Sequence, residues 1–279
     1  MKSDKNKTID FGLSECPEYL EKCLKISDET KTLSLEEVTD KIILGDSLKV
    51  AALLPHESVD LLIADPPYNL DKQFHGYNFH EMAYEAYEKY TEEWISACKP
   101  LLKKNASVYV CCDWKSSSAI ERVLSRHFII RNRITWQREK GRGALKNWKN
   151  SMEDIWFCTV DEDDYVFNVD AVKQRRRVVA PYKVDGKPKD WEETEDGNFR
   201  NTCPSNFWDD ISVPYWSMPE NTAHPTQKPE KLLAKLILAS SNADALVYDP
   251  FMGSGSTAVT AKKLGRHFVG IEKKLYLCN

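Results

Sequence analysis

Short, continuously apolar segments that each end in a polar turn constrain the fold of this chain more than any other feature. KIILGD (41–46), VDLLIADPPY (59–68) and ALVYDP (245–250) have this form. Strands that are buried on both faces of a parallel sheet are apolar throughout, whereas half-exposed strands alternate. Helical spacing of apolar and aromatic residues appears between such segments, for example over 80–103. The sequence therefore predicts an α/β fold built on a parallel sheet.

The alternation of strands and helices divides the chain into four regions. Residues 1–40 are polar with a weak helical pattern, and we expect a helical N-terminal arm. Strands and helices alternate over 41–160 and again over 223–279, where the first predicted helix covers 225–242. Residues 161–222 contain acidic runs, KQRRR and several prolines without any periodicity. This pattern indicates an inserted, loop-rich recognition region.

Composition excludes several classes of protein. A chain of 279 residues that is 42% hydrophobic can bury its own core, which excludes a fibrous or mainly disordered protein. No apolar run approaches the roughly 18 residues of a membrane helix, and the charged N-terminus lacks the apolar core of a secretory signal. We therefore expect a cytoplasmic protein with no membrane partner. The eight cysteines are scattered without a CxxC pair, which indicates buried reduced thiols and no metal site.

The segment DPFMGSGST (249–257) follows a predicted strand and opens a predicted helix. Glycines at such a junction let the backbone approach a ligand closely. Gly253 and Gly255 with Ala258 also fit the dinucleotide fingerprint G-x-G-x-x-A, and Glu272 stands about where a ribose-binding acid is expected. Taken alone, the segment is equally consistent with a tight strand–helix turn. It is not a Walker A loop, because no Gly-Lys-Ser/Thr closes it.

The tetrad Asp65-Pro-Pro-Tyr68 ends another predicted strand. Two prolines after a buried strand fix a rigid turn at the carboxyl edge of the sheet, where open α/β sheets bind ligands. The Asp65 carboxylate and the flanking backbone carbonyls are acceptors, and the ring of Tyr68 is a flat stacking surface. Acceptors beside an aromatic plane suit the exocyclic amino group of a nucleobase. A simple proline-rich turn is the alternative.

A third motif, HPTQKP (224–229), lies at the start of the predicted helix over 225–242. A threonine that caps the helix would explain Thr226 but not the whole string. DPPY, HPTQKP and DPFMGSGST, in this order, resemble the signature motifs of S-adenosylmethionine-dependent DNA amino-methyltransferases of the β group. The resemblance covers about residues 41–275, and the three motifs are specific when they occur jointly.

This resemblance implies a circularly permuted Rossmann-like methyltransferase fold. Its sheet would have seven mostly parallel strands with helices on both faces, and 161–222 would be the target recognition region. The implied activity is transfer of a methyl group from S-adenosylmethionine (SAM) to the N6 amino group of an adenine in double-stranded DNA. A restriction-modification system with a cognate restriction endonuclease is the usual setting, and homodimers are common in the group.

The resemblance also assigns roles to residues at matching positions. Asp65 and Pro66 would accept hydrogen bonds from the amino group of the target base, and Tyr68 would stack on that base after it flips out of the duplex. Glu272 would bind the ribose hydroxyls of the cofactor. The implied cofactor-binding residues are Asp46, His224, Thr226, Lys228, Asp249, Phe251, Gly253, Gly255, Thr257 and Glu272. Asp46 is explained about equally well as the N-cap of the next helix.

Two groups of basic residues are candidates for contact with DNA phosphates. Residues 131–149 carry seven lysines and arginines against one acid, and 174–177 reads QRRR. A run of charge is often only a solvated face. Beside a predicted base-flipping motif, in a protein of net charge −4, we interpret these residues as phosphate-binding. The predicted DNA-binding residues are Arg138, Lys140, Arg142, Lys146, Arg175 and Arg176.

Three alternatives stay open at this point. Cytosine-N4 methylation is the nearest, although the aspartate that opens the tetrad favours adenine, since cytosine-N4 relatives more often carry serine there. A nicotinamide-dependent dehydrogenase would use Gly253, Gly255 and Glu272, but it leaves DPPY and HPTQKP unexplained. A DNA-binding protein without catalysis would have no need of Asp65 and Tyr68.

Overall fold

The structure is a computed structural model that describes residues 4–9, 15–27, 29–70, 72–74, 77–79, 81–138, 145–179 and 182–273. The strands of the described residues are, in chain order, β1 (Leu24–Lys25), β2 (Lys41–Leu44), β3 (Val59–Ala64), β4 (Lys72–Phe74), β5 (Tyr77–Phe79), β6 (Leu102–Cys112), β7 (Ile129–Gln137), β8 (Met152–Thr159), β9 (Gln174–Arg177), β10 (Lys183–Val184), β11 (Lys187–Pro188), β12 (Glu192–Thr194), β13 (Gly197–Thr202), β14 (Phe207–Trp208), β15 (Leu246–Asp249) and β16 (His267–Glu272). The α-helices are α1 (Cys16–Lys22), α2 (Leu35–Val38), α3 (Ser47–Ala51), α4 (Tyr84–Cys98), α5 (Ser117–His127), α6 (Glu230–Ser240) and α7 (Ser256–Lys263).

A central sheet has the strand order β1-β2-β16-β15-β3-β6-β8-β7-β14. In this spatial order, each strand is parallel to the next from β1 through β2, β16, β15 and β3 to β6, and β14 is parallel to β7. Strand β8 runs antiparallel to both of its neighbours. As a result, β8 begins at the edge of the sheet where β3 and β6 end.

Helices cover both faces of this sheet. On one face, α3, α4 and α5 bury side chains that include Val50, Trp94 and Ile120. On the other face, α6 and α7 bury side chains that include Leu236 and Ala261. The predicted three-layer α/β arrangement is therefore confirmed.

Strand β3 shows why both faces must be covered. Side chains alternate between the faces of a strand, and Leu62 packs in the first cluster whereas Leu61 and Ile63 pack in the second. All three are almost fully buried. Burial of each such side chain stabilises the fold by about 1.5–3 kcal/mol, so a strand that is apolar on both sides favours a central position.

Three details of the fold differ from the predictions. The sheet has nine strands rather than seven, because the two-residue strands β1 and β14 extend its edges. In its described residues, the N-terminal region predicted as a helical arm has two short helices, α1 and α2, and it contributes β1 to the sheet. The predicted helix over 225–242 begins only at Glu230, since the residue before Pro229 is restricted to extended backbone.

The region 161–222 is rich in loops, as predicted, and it forms small antiparallel units. Strands β12, β13 and β9 make one sheet, and β10 with β11 makes another. Strand β14 returns to the central sheet beside β7. No helix in the described ranges is long and apolar enough to cross a membrane.

Candidate functional site

Four acidic residues lie together because four neighbouring parallel strands end at one edge of the sheet. Strands β2, β16, β15 and β3 are adjacent in that order. Glu272 and Asp249 are the last residues of their strands, Asp65 directly follows β3, and Asp46 follows β2 by two residues. The carboxyl ends of parallel strands are the usual ligand site of open α/β sheets.

A cavity of about 390 Å³ opens at this edge, within the roughly 300–1,000 Å³ range of small-molecule sites. The segment DPFMGSGST (249–257), called the glycine loop below, contributes to its wall together with the DPPY tetrad and the HPTQKP motif. Of the residues predicted to bind the base or the cofactor, the cavity is lined by Asp46, Asp65, Pro66, Tyr68, His224, Thr226, Lys228, Asp249, Phe251, Gly253, Thr257 and Glu272. Gly255 caps the N-terminus of α7 instead.

The glycine loop adopts backbone conformations that side chains disfavour. Gly253 and Gly255 have φ angles of +54° and +77°. A Cβ atom on Gly253 would lie 3.3 Å from the ring of His224, so the loop and the HPTQKP motif pack closely. The Gly253 amide also donates a 2.8 Å hydrogen bond to Glu272 Oε2. This bond ties the loop to the end of β16.

Asp249 is a buried carboxyl group at the base of the loop, with 4% of its surface exposed. Its Oδ1 accepts a 2.9 Å hydrogen bond from the Phe251 amide. Burial raises the pKa of Asp249 to about 7, against the lowering effect of hydrogen bonds from Thr257 and Phe251. The group is therefore poised to ionise when a cation approaches it.

In the DPPY turn, one carboxylate oxygen of Asp65 accepts a hydrogen bond and the other accepts none from the described residues. Asp65 Oδ2 accepts a 2.6 Å hydrogen bond from Lys228 Nζ. Asp65 Oδ1 is buried, and it has no hydrogen-bond partner among the residues described. The following turn is fixed by Tyr87, whose hydroxyl donates to the Pro67 carbonyl at 3.1 Å. Asp65 thus lines the cavity and keeps one acceptor oxygen that the described residues do not use.

A cluster of charges surrounds that aspartate. Lys228 Nζ also donates to Tyr68 Oη at 3.0 Å and lies 3.4 Å from Glu153 Oε2. Tyr68 Oη donates to the same Glu153 oxygen at 3.1 Å. The other oxygen of Glu153 accepts from the guanidinium of Arg138. Lys228, which the resemblance implies as a cofactor residue, is therefore held by the tetrad.

The charge states within this cluster follow from the pairing. Burial by itself lowers the pKa of Lys228, but the carboxylates of Asp65 and Glu153 raise it above the usual value. Burial alone would raise the pKa of Glu153, yet Lys228 and Arg138 hold it below its usual range. Burial and the same two carboxylates raise the pKa of Tyr68 well above that of a free phenol. At neutral pH the cluster contains an ammonium, a carboxylate at Glu153 and a neutral phenol.

Asp46 caps a helix and also lies on the wall of the cavity. It is the N-cap of α3, where its Oδ1 accepts from the Leu48 amide at 3.1 Å. It also lines the cavity, and its Oδ2 lies 3.0 Å from Lys273 Nζ. The capping role and the cavity role are compatible, because the cap uses only one of the two oxygens.

The predicted DNA-binding residues lie in different places. Arg138 forms an ion pair with buried Glu153. Lys146 is exposed, and Arg175 and Arg176 are exposed on β9. Arg175 also lies over the ring of Phe199, 4.5 Å from its centroid. Lys140 and Arg142 lie outside the described residues.

The sequence interpretation missed Glu153 and Tyr90. Glu153 is the second residue of the buried strand β8, and two adjacent acids at the start of a largely apolar strand were the available signal. Tyr90 stands on α4, in the segment whose helical spacing the sequence showed, and it lines the cavity with Trp94. Phe251 contacts the ring of Trp94 edge-on, at 5.4 Å between centroids. Helix α4 therefore contributes aromatic side chains to the wall of the cavity as well as to the hydrophobic core.

Comparison with known proteins gives a consistent family assignment. Residues 59–279 match a family of N6 and N4 methyltransferases that is described as DNA methylase. The DNA adenine methyltransferase YhdJ of Escherichia coli K12 is 36% identical over 237 residues, which cover 83% of this chain and 77% of that protein. The type II methyltransferase M.HpaI of Haemophilus parainfluenzae is 32% identical over 234 residues, which cover 83% and 69%.

Solved structures agree on the fold. The M1.HpyAVI–SAM complex is 25% identical, with a TM-score of 0.55 over 85% of this chain and 95% of that one. The cytosine-N4-specific PvuII DNA methyltransferase is 19% identical, with a TM-score of 0.57 over 84% of this chain and 82% of that one. At 19% identity, the similarity to the PvuII enzyme shows the fold alone.

Proposed function

The chain belongs to the DNA methylase family of SAM-dependent amino-methyltransferases, and from this premise we propose how its site methylates adenine N6 in duplex DNA. One observation supports the proposal most strongly. The glycine loop and the DPPY tetrad line a single cavity, and Asp65 Oδ1 accepts no hydrogen bond from the described residues. A methyl donor and an amino acceptor can therefore occupy adjoining parts of one site.

The residues on the side of the cavity that the glycine loop forms suit SAM. When bound, SAM supplies a methyl group on a positively charged sulfur, together with an ammonium group, two ribose hydroxyls and an adenine ring. The carboxylate of Glu272 would accept hydrogen bonds from the ribose hydroxyls, and Asp249 would hold the ammonium group. Tyr90 and Phe251 give the cavity an aromatic surface for the ring. Gly253 brings backbone close to the ligand, in a position where a Cβ atom would already press on His224.

The residues of the tetrad side suit an amino group. An adenine amino group is a weak nucleophile, because its lone pair is delocalised into the ring. Asp65 Oδ1 and the Pro66 carbonyl would accept its two N–H groups, which favours the pyramidal form and frees the lone pair. Tyr68 would stack on the flipped base, a contact worth roughly 1–3 kcal/mol. After the nitrogen gains a methyl group it loses one proton, which the Asp65 carboxylate would accept.

Adenine is the target we favour over cytosine. YhdJ, which is named an adenine methyltransferase, is 36% identical, and an aspartate opens the tetrad in this chain. The dehydrogenase alternative depended on Gly253, Gly255 and Glu272. Those residues fall within the DNA methylase match over 59–279, so that alternative is abandoned.

Exposed cations would hold the duplex. Lys146, Arg175 and Arg176 are exposed cations in the two basic groups predicted to bind phosphate. Phosphate contacts position the protein on DNA without carrying sequence information. We assign sequence discrimination to the region 161–222, which lies between the two halves of the catalytic fold in the chain.

The expected partner besides DNA is a restriction endonuclease of the same specificity. M.HpaI carries the name of a type II methyltransferase, and this supports a role in a restriction-modification system. A cytoplasmic location follows from a DNA substrate. Homodimerisation stays a prediction of the family resemblance, and sedimentation of the purified protein tests it.

The proposal is tested by methyl transfer from isotopically labelled SAM to unmethylated mixed-sequence duplex DNA, with the nucleosides then separated by mass. We expect label in N6-methyladenine, and none with a protein in which Asp65 is replaced by alanine. Label confined to N4-methylcytosine would overturn the choice of adenine. Absence of label in any nucleoside of DNA that contains all short sequence contexts would overturn the activity.

A further inference from the structure

Glu153 is a buried carboxylate that stands behind the proposed base site. Only 4% of its surface is exposed, and it is not among the described residues that line the cavity. It lies near the start of β8, the strand that runs against its neighbours, and so it reaches the edge where β3 ends. A group in this place can act on the reaction only through other side chains.

Two of those side chains belong to the site itself. Glu153 Oε2 accepts from Tyr68 Oη at 3.1 Å and lies 3.4 Å from Lys228 Nζ. Lys228 in turn binds Asp65 Oδ2 at 2.6 Å. Glu153 therefore contacts the stacking residue directly and the catalytic carboxylate through one ammonium group.

The arrangement decides which oxygen of Asp65 is left for the base. Lys228 occupies Oδ2, and Oδ1 has no partner among the residues described. Since Tyr68 donates its hydroxyl proton to Glu153, this proton does not compete with the amino group of the base for Asp65 Oδ1. Without Glu153, the Tyr68 hydroxyl and the Lys228 ammonium would both have Asp65 as their nearest remaining carboxylate.

The balance of charges around Lys228 also indicates that Glu153 keeps one oxygen of Asp65 available. Asp65 and Glu153 face Lys228 and Arg138, which gives two carboxylates and two cations in a largely buried cluster. Buried charges are costly unless they are paired. Loss of the Glu153 charge would leave one cation in excess, and the Asp65 carboxylate would be drawn more strongly to Lys228.

We propose that Glu153 is a positioning residue for methyl transfer, which holds Lys228 and Tyr68 so that Asp65 keeps one oxygen for the amino group of the target base. This inference rests on the proposed function and deepens it. It assigns the methyl-transfer step to four side chains from three separate segments of the chain. It also makes Lys228 a partner of the catalytic aspartate rather than of the cofactor.

Asp154 provides a matched control, because it is the next residue on β8 and is also buried. It accepts hydrogen bonds from Ser117 at 3.0 Å and from Thr135 at 3.1 Å, and it is not among the described cavity residues. Glu153→Gln and Asp154→Asn each remove one buried carboxylate from the same strand. Only the first removes a contact with Lys228 and Tyr68.

The experiment compares single-turnover methylation rates, SAM dissociation constants and thermal stability in these variants and in Glu153→Asp. Small misplacement of reacting groups can cost up to about a hundredfold in rate, so we expect Glu153→Gln to be about tenfold to a hundredfold slower. Its SAM dissociation constant should stay within about twofold, since Glu153 does not line the cavity. Glu153→Asp keeps the charge and should have an intermediate rate, whereas Asp154→Asn should methylate at the wild-type rate.

Several results would overturn the inference. A wild-type rate in Glu153→Gln would do so, as would equal losses of rate in Glu153→Gln and Asp154→Asn that follow their stability. If Glu153→Gln does not fold, Glu153→Asp decides, and a wild-type rate in that variant would contradict the positioning role. Failure of the wild-type protein to methylate DNA would instead overturn the proposed function, so the two failures are distinguishable.

Discussion

The carboxyl edge of the parallel strands and the region 161–222 are built in opposite ways. At the edge, the acids and Lys228 are largely buried, and Asp65, Lys228 and Glu153 are joined across three segments of the chain. In 161–222, short antiparallel strands carry arginines that are exposed, and the ion pair of Arg176 with Asp209 spans 3.9 Å between two exposed side chains. Exposed pairs of this kind contribute little to stability.

This difference separates two tasks. Chemistry needs groups held in place before the substrate arrives, and a rigid sheet edge holds them. Contact with a duplex needs cations that can adapt to a phosphate backbone, and exposed side chains on small strands supply them. Changes at the edge should therefore alter rate or cofactor affinity, whereas changes in 161–222 should alter affinity for DNA.

The largest effect should come from Asp65→Ala, which removes the buried acceptor. Loss of one preorganised group of this kind costs about a hundredfold to a thousandfold in rate, and we expect methyl transfer to fall at least that far. SAM binding, measured by calorimetry, should be nearly unchanged. Asp60→Ala is the control, because Asp60 is near the opposite end of β3 and binds Lys103 and the Leu246 amide. Near-normal turnover in Asp65→Ala would contradict the amino-activation mechanism.

Glu272→Ala should weaken SAM binding more than it slows the reaction at saturating SAM. The carboxylate holds the Gly253 amide at 2.8 Å and is proposed to bind the ribose hydroxyls. Hydrogen bonds to a charged group are worth about 1.5–3 kcal/mol, so the dissociation constant should rise about tenfold to a hundredfold. Titration calorimetry measures it, and an unchanged constant with a reduced rate would place Glu272 outside the cofactor site.

The pH dependence of SAM binding should report on Asp249. Its pKa is raised to about 7 by burial, so the carboxylate form grows as pH rises through that value. If this form holds the ammonium group, the SAM dissociation constant should fall up to about tenfold per pH unit below 7 and level off above it. Asp249→Asn should bind more weakly and remove this dependence.

The same raised pKa has a consequence for the protein without ligand. The folded state favours the protonated Asp249, so this group stabilises the fold below about pH 4, and the contribution is lost as pH rises through about 7. SAM should therefore raise the melting temperature more at pH 8 than at pH 6. Equal increments at both pH values would argue against ionisation of Asp249 on binding.

The smallest effect should come from Arg175→Gln with Arg176→Gln on β9. Each lost phosphate contact reduces the salt slope of DNA binding by about one, so the double variant should bind DNA more weakly, with a slope lower by about two. Fluorescence anisotropy at several salt concentrations measures both quantities. Arg122→Gln on α5 removes another exposed arginine and should leave the slope unchanged.

The strand ends of the site could be predicted from the sequence, because each motif is local. A buried strand runs directly into DPFMGSGST and another into DPPY, and topology then brings the strand ends together. The position of Glu153 could not be predicted in this way. Its hydrogen bond to Tyr68 spans 85 positions in the chain, and it depends on the reversed direction of β8. Periodicity does not show that direction.

The edges of the sheet were missed for a different reason. Strands β1 and β14 have two residues each, and so short a segment has no periodic pattern to detect. Strand β1 pairs in parallel with β2, and its Leu24 packs against the core. Residues near the N-terminus pair in a similar way, since the Lys7 amide donates to the Trp216 carbonyl at 2.7 Å. Such contacts follow from the folded topology rather than from local propensity.

The division of tasks is tested most directly by the single-turnover methylation rate of the Arg175→Gln, Arg176→Gln double variant at saturating duplex DNA. If the sheet edge alone carries the chemistry, the saturated rate should match that of the wild-type protein, although more DNA is needed to reach it. A saturated rate that is lowered as much as the DNA affinity would contradict the account, because the recognition region would then take part in the methyl-transfer step.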